Sequence, residues 1–173
     1  FSQKGPGAMH APWLISLAAG LVVGGLSQFS RLCTVGGFRD LFLFKKSILI
    51  FGYLAVLVGV FLVNISFGNF HLGFENQPIA HADGLWNFLG MALAGFCSVL
   101  LGGCPLRQLI MTGEGNSDAA VTVLGLAAGA AFAHNFGLAA SGAGPTLNGQ
   151  IAVGVGFVVA LIIAILNTKR ANA

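Results

Sequence analysis

The sequence predicts an all-α polytopic membrane bundle, and three observations carry that prediction. Charged residues make up 8% of the chain against 56% hydrophobic ones, whereas a soluble domain carries about 25% charged residues. The mean hydropathy is +0.88. Polar residues fall in clusters, separated by apolar windows long enough to cross about 30 Å of hydrocarbon at 1.5 Å per residue.

Five windows contain no Asp, Glu, Lys or Arg: Trp13 to Ser30, Ser47 to Gly68, Gly84 to Leu101, Ala119 to Gly144, and Gln150 to Asn167. Each is expected to cross the lipid bilayer once, within a single membrane domain covering residues 1–173. The spacings Gly20-x-x-x-Gly24 and Gly125-x-x-x-Gly129 suit helices that approach closely in lipid. With five crossings, Lys45, Lys46, Lys169 and Arg170 lie on one side and Lys4 on the other, so the positive-inside rule predicts a cytoplasmic C-terminus. The stretch 69–83, "NFHLGFENQPIAHAD", has no Lys or Arg and reads as the outer loop. The net charge of +3 is too small and too scattered to track phosphates, which excludes nucleic acid as a partner. The chain begins at Phe1, and "FSQKGPGAMHAP" has none of the regions of a signal peptide. An upstream half, or a separate partner half, is therefore expected.

Three cysteines, Cys33, Cys97 and Cys104, are too few and too widely spaced for a disulfide framework, and no C-x-x-C pair suggests metal or redox chemistry. Cys97, within "ALAGFCSVLL", reads as a small buried hydrophobe. Cys33 and Cys104 each stand where a window gives way to a polar turn. Laying the chain on itself at an offset of 71 pairs Gly24 with Gly95, Cys33 with Cys104, and Asn64 with Asn135. That pattern predicts two repeat-like units, 13–66 and 84–139, followed by a final helix, 150–167.

The stretch "LLGGCPLRQLIMTGEGN" (100–116) is the most informative. Proline is favourable at the first helical position, because its missing N–H would be unpaired there and its φ is already set. The spacing predicts a break at Gly102-Gly103, Cys104 as the cap, and a short helix from Pro105 to about Thr112, closed by Gly113. Such a helix cannot span, so it reads as a re-entrant element, which membranes tolerate where it lines a cavity or is buried in protein. Its N-terminus carries unpaired N–H groups and about half a positive charge, which favours an anion. The same field favours the thiolate form at reactive cysteines. Arg107, one turn on, adds a fixed charge near that point. "SRLCTVGGFRDLFLF" offers a looser version, with Cys33 flanked by Arg31 and Arg39 and with Asp40 partly neutralising Arg39.

His134 and Asn135 lie within an otherwise apolar window, where polar groups in lipid either line a pathway or hydrogen-bond between helices. In "GEGNSDAA", Asn116 or Ser117 reads as a helix cap, with Asp118 in the first turn. His71 and His81 lack a third ligand at useful spacing, so no metal site is expected. No cofactor signature is present.

"RLCTVGGFRDLFLF", "LLGGCPLRQLIMTGEGNSDAAVTVLG" and "AAFAHNFGLAASGAGPT" together resemble the YeeE/YedE family of membrane sulfur-compound transporters. The likeness is strongest to the C-terminal half of the YedE branch, described as selenium transporters. The resemblance implies a non-enzymatic importer in the bacterial inner membrane, built of two related halves. Short helices would dip inward and present cysteines, here Cys33 and Cys104, to a thiosulfate-like or selenium-containing anion. With these, Arg107, Arg39, Arg31, His134 and Asn135 form the expected substrate pathway. Two other readings stay open: a membrane thiol oxidoreductase cycling Cys33 and Cys104 through a disulfide, and a structural subunit that transports nothing.

Overall fold

The computed structural model describes residues 11–68, 70, 72–73 and 81–171. Among these residues seven helices follow one another: α1 (Trp13–Ser30), α2 (Thr34–Phe44), α3 (Ile48–Ser66), α4 (Gly84–Leu100), α5 (Pro105–Gly113), α6 (Ser117–Asn135) and α7 (Leu147–Ala171). Among the described residues there is no strand, and Ser141 and Gly144 form one isolated bridge. Five helical segments among the described residues are long and apolar enough to cross a membrane, two of them taking in the short helices α2 and α5. This is a multi-pass membrane protein.

The turns that interrupt the two broken segments are built alike. α1 ends with Arg31 in the left-handed region at φ 51°, where the Arg31 N–H donates to the Gln28 carbonyl and the Leu32 N–H to the Ser27 carbonyl. α4 ends with Gly102 at φ 75°, where the Gly102 N–H donates to Val99 and the Gly103 N–H to Ser98. Both closures satisfy helix-end carbonyls through a left-handed residue, the usual way to stop a helix sharply. Every residue in the second turn lies 71 positions after its counterpart in the first. The starts of α1 and α4 and those of α2 and α5 are also separated by 71, whereas α3 and α6 start 69 apart.

Packing pairs the helices locally: α2 lies against α3, α5 against α6, and α4 against α7, while α1 touches α5 and α2 touches α4. Each short helix therefore reaches the first helix of the other unit. Among the described residues three apolar ones are buried, Cys104, Ala119 and Ala160. Large apolar side chains such as Phe29 and Phe42 point outward. Lipid tails are as apolar as leucine, so a membrane bundle has no hydrophobic drive to turn them in.

Two expectations need correction. The fourth window was expected to run as helix to Gly144, but α6 stops at Asn135 and the following loop passes through Gly137 at φ 62°. There the Thr146 hydroxyl donates to the Gly137 carbonyl (2.7 Å) and the Asn148 amide to the Phe136 carbonyl (3.3 Å), so side chains satisfy carbonyls that further helix would have used. The window was apolar, but its glycines and these two side chains favour a stop; α7 then starts at Leu147, three residues before the expected Gln150. The glycine motifs also behave differently. Cβ atoms placed at Gly20, Gly24, Gly125 or Gly129 meet nothing within 4 Å, so within this chain those faces stay open. Neighbours lie nearer at Gly37, where a Cβ would stand 3.5 Å from the Ile50 backbone, and at Gly156, where one would stand 2.6 Å from Leu93.

Candidate functional site

The short helices are capped by the two cysteines that sequence singled out. Cys33 is the N-cap of α2, and its sulfur accepts a hydrogen bond from the Gly36 N–H at 3.3 Å. Cys104 is the N-cap of α5, followed by Pro105 at the first helical position. It closes no cap hydrogen bond of good geometry on its own helix. Its sulfur nevertheless has near it the Arg107 N–H, the N–H and hydroxyl of Thr34, and the Cys33 thiol. Gly36 and Arg107 hold the same place in their helices, the third helical residue, whose N–H a cap ordinarily satisfies.

Two helix N-termini therefore converge, each with a thiol at its mouth. Cys104 is 7% exposed, Cys33 is half-buried, and both thiols are free. The partial positive charges of two macrodipoles add at this point, and the remaining orphan N–H groups point into it. Thr34, next to Cys33, had no sequence signal beyond its position; its hydroxyl lies near the Cys104 sulfur.

The arginines take other partners. Arg39 donates to Asp40 at 2.9 Å, with the guanidinium largely exposed, so the neutralisation expected from sequence is present. Arg107 sends its backbone N–H toward Cys104, but its guanidinium lies 3.4 Å from Glu114, at the far end of α5. The local field at the thiols comes chiefly from backbone dipoles. Arg31 is exposed. His134 and Asn135 are exposed at the C-terminal end of α6, about 27 Å of helix rise from Ser117. Asn135 donates back to the Ala131 carbonyl at 2.8 Å, so it bonds within its own helix. The structure brings Cys33, Cys104 and the Arg107 backbone together, and leaves Arg39, Arg31, His134 and Asn135 outside that cluster.

Gln108 went unnoticed in the sequence. It is 4% exposed, and its amide donates to the Leu101 carbonyl at 3.0 Å, tying the first turn of α5 to the end of α4. A polar residue inside a short helix that follows a glycine break is the signal that could have found it. Asn116 caps α6, its side chain accepting from the Ala119 N–H at 2.9 Å, and Asp118 lies in the first turn, as expected. Cys97 is half-buried within α4. His71 lies outside the described residues, and among the described residues no group of three His, Cys, Asp or Glu could hold a metal ion.

Two open cavities flank the cysteines. One, about 560 Å³, lies between α1 and α5; the other, about 450 Å³, lies between α2 and α4. Gly24, Gln28, Leu106, Leu109, Ile110 and Gly113 line the first, and Gly95, Val99, Val35, Phe38, Arg39 and Phe42 line the second, each pair separated by 71. The two grooves are related by the same offset as the turns.

The fold defines a multi-pass membrane helix bundle with two interrupted spans and a thiol at the N-cap of each short helix. The family model described as sulphur transport matches residues 29–170, and the chain belongs to that family, the YeeE/YedE family. No match is found among the curated proteins or the solved structures.

Proposed function

We propose that this chain carries the solute site of an importer for a small sulfur- or selenium-containing anion, of which thiosulfate is the simplest example. The convergence of two thiol-capped helix N-termini supports this reading more than any other observation. An anion gains from the orphan N–H groups of α2 and α5, and a soft sulfur or selenium atom gains from contact with the polarisable sulfurs of Cys33 and Cys104. Each contact is weak and there are several in sequence, which lets a solute leave as well as enter. The thiols act by hydrogen bonding, since a stable covalent adduct would need a resolving step.

In this reading α2 and α5 are re-entrant, their N-termini directed into the membrane and their C-termini toward the cytoplasm. The Lys45-Lys46 turn and the C-terminus lie on the cytoplasmic face of a bacterial inner membrane. A partner half completes the bundle, on an upstream segment or a separate chain. The test is uptake of labelled thiosulfate and of labelled selenite by cells carrying the complete protein with Cys104→Ala or Cys104→Ser. Loss of uptake of at least one is expected; unchanged uptake of both removes the cysteine pathway.

The proximity of the two thiols also favours a second reading, in which they exchange between dithiol and disulfide and pass two electrons to a membrane quinone. A gel shift for a Cys33–Cys104 bridge, absent in either single variant, distinguishes it from transport.

A further inference from the structure

Among the described residues each short helix has one ion pair, and the two pairs differ. In α2 the neighbours Arg39 and Asp40 meet at 2.9 Å, with the guanidinium largely in solvent. In α5 the partners are Arg107 and Glu114, the residue that ends the helix; they meet at 3.4 Å, with side chains 22% and 34% exposed. They lie seven residues apart, which is about 10.5 Å of helix rise and returns two side chains to the same face.

The direction of the Arg107 side chain is unusual. In an α-helix the Cα–Cβ bond leans toward the N-terminus, so a long side chain ordinarily covers the turn before its own Cα. For Arg107 that turn is the mouth of α5, where Cys104 lies. The stem does begin there: a Cβ at Gly103 would stand 3.5 Å from the Arg107 Cγ, and the Arg107 N–H is near the Cys104 sulfur. The guanidinium is nevertheless drawn two turns the other way. Along the axis Cys104 is the nearer target, three residues or about 4.5 Å against seven.

The pair does little for the fold. Both residues belong to one helix and its cap, so the contact joins no two elements, and ion pairs open to solvent to this degree contribute little. A separation of 3.4 Å is also beyond the ordinary range of an N–H···O bond, so the hold is loose. The first unit builds the same mouth with Gly36 and Leu43 at the corresponding positions, 71 residues earlier. Yet Arg107 lies in a segment apolar enough to cross the membrane, where an arginine is costly and marks a pathway or a partner.

We propose that Glu114 is a positioning residue for Arg107: its carboxylate holds the guanidinium back from the cysteine mouth, and an entering anion draws it across. Carboxylate and solute then compete for one cation. With Arg107 always at the mouth, a full positive charge would add to two helix dipoles and hold the anion too well for it to leave. Its return to Glu114 weakens the site and lets the solute go. The inference rests on the transport reading above.

Glu114→Gln removes the competing charge. In concentration-dependent uptake of labelled thiosulfate by the complete protein at matched levels, it is expected to lower the KM about three- to fivefold, because the guanidinium no longer has to leave a carboxylate. The maximal rate is expected to fall as well, because release slows. Arg107→Gln is expected to raise the KM, and the double variant to match Arg107→Gln alone, since Glu114 acts through Arg107. A residue that only supports the fold would change protein level and melting temperature and leave the KM where it was. The inference fails, while transport stands, if Glu114→Gln keeps or raises the KM, if Arg107→Gln leaves it unchanged, or if Glu114→Gln lowers it equally when Arg107 is already replaced. Should Glu114→Gln not accumulate, Glu114→Asp, which keeps the charge at shorter reach, is judged by the same criteria. If the unaltered protein takes up selenite but no thiosulfate, the comparison is made with selenite. If it takes up neither, the transport reading itself has failed.

Discussion

The turn at Cys33 and the turn at Cys104 share a backbone but hold it in place by different means. Each has a left-handed residue, a carbonyl bonded five positions on, and a thiol at the N-cap of a short helix. In the second turn each special position has the residue type that suits it: Gly102 at the left-handed position, Pro105 at the first helical position, and Gln108 bridging back to Leu101. In the first turn Arg31 occupies the left-handed position against its preference, and Thr34 stands where proline would. Anchoring comes instead from packing of α2 at Gly37 on the Leu49–Ile50 backbone, with room there for a Cβ at ordinary contact distance. Gly37 and Gln108 occupy the same place in their units. One position is thus anchored by backbone packing and the other by a buried hydrogen bond, which indicates that the geometry of the mouth, rather than any one side chain, is what both units preserve.

The largest expected effect tests whether the two thiols are equal partners. Cys104 is the more buried sulfur, with groups of both short helices near it, whereas Cys33 already accepts from Gly36. Cys104→Ala is expected to lower thiosulfate uptake by about 10- to 100-fold, in the range of one lost hydrogen bond to a charged group. Cys33→Ala is expected to lose several-fold less, measured side by side at matched expression. Equal losses would show that the asymmetry in burial has no bearing on flux, and a larger loss at Cys33 would reverse the assignment.

A smaller effect separates the two anchors. Gln108→Leu keeps the bulk but removes the hydrogen bond to the Leu101 carbonyl, a loss of about 0.5–1.5 kcal/mol. The variant should melt at lower temperature in detergent. At Gly37 an alanine Cβ would sit 3.5 Å from backbone atoms, an ordinary contact, so Gly37→Ala is expected to shift melting little. If Gly37→Ala proved the more damaging, close packing of α2 on α3 would be the tighter constraint.

Much of the helix order could be read from sequence, because apolar windows and a proline after a glycine pair are local signals. Pro105 and Gly102 fixed the start of α5 and the break before it, and Asn116 fixed the cap of α6. What could not be read were contacts between distant segments. That the Cys104 sulfur meets Thr34 and Cys33 follows from the crossing of α2 with α4 and of α1 with α5, which no local pattern encodes. Charge was misleading for the same reason: Arg107 is one turn from Cys104 along the chain, yet its guanidinium finds Glu114 instead. His134 and Asn135 looked buried because their window was apolar, whereas the helix ends with them. The equivalence of Ser27 and Ser98 was present at the offset of 71 but carries little weight among so many small residues until their burial is known.

The smallest effect concerns the left-handed residues. A non-glycine residue in that region costs roughly 1–2 kcal/mol relative to its ordinary conformations, and glycine removes most of that cost while adding freedom to the unfolded chain. Arg31→Gly is therefore expected to raise the melting temperature slightly or leave it unchanged, and Gly102→Ala to lower it by the equivalent of about 1 kcal/mol. Uptake by Arg31→Gly then separates two uses of the residue. An arginine kept only because the turn tolerates it predicts unaltered flux in the stabilised variant. If the guanidinium draws anions toward the cysteines, uptake should fall even though the fold is no worse, and the loss should shrink as salt screens the charge. A fall that does not depend on salt would place the role of Arg31 in the turn rather than in the field it creates.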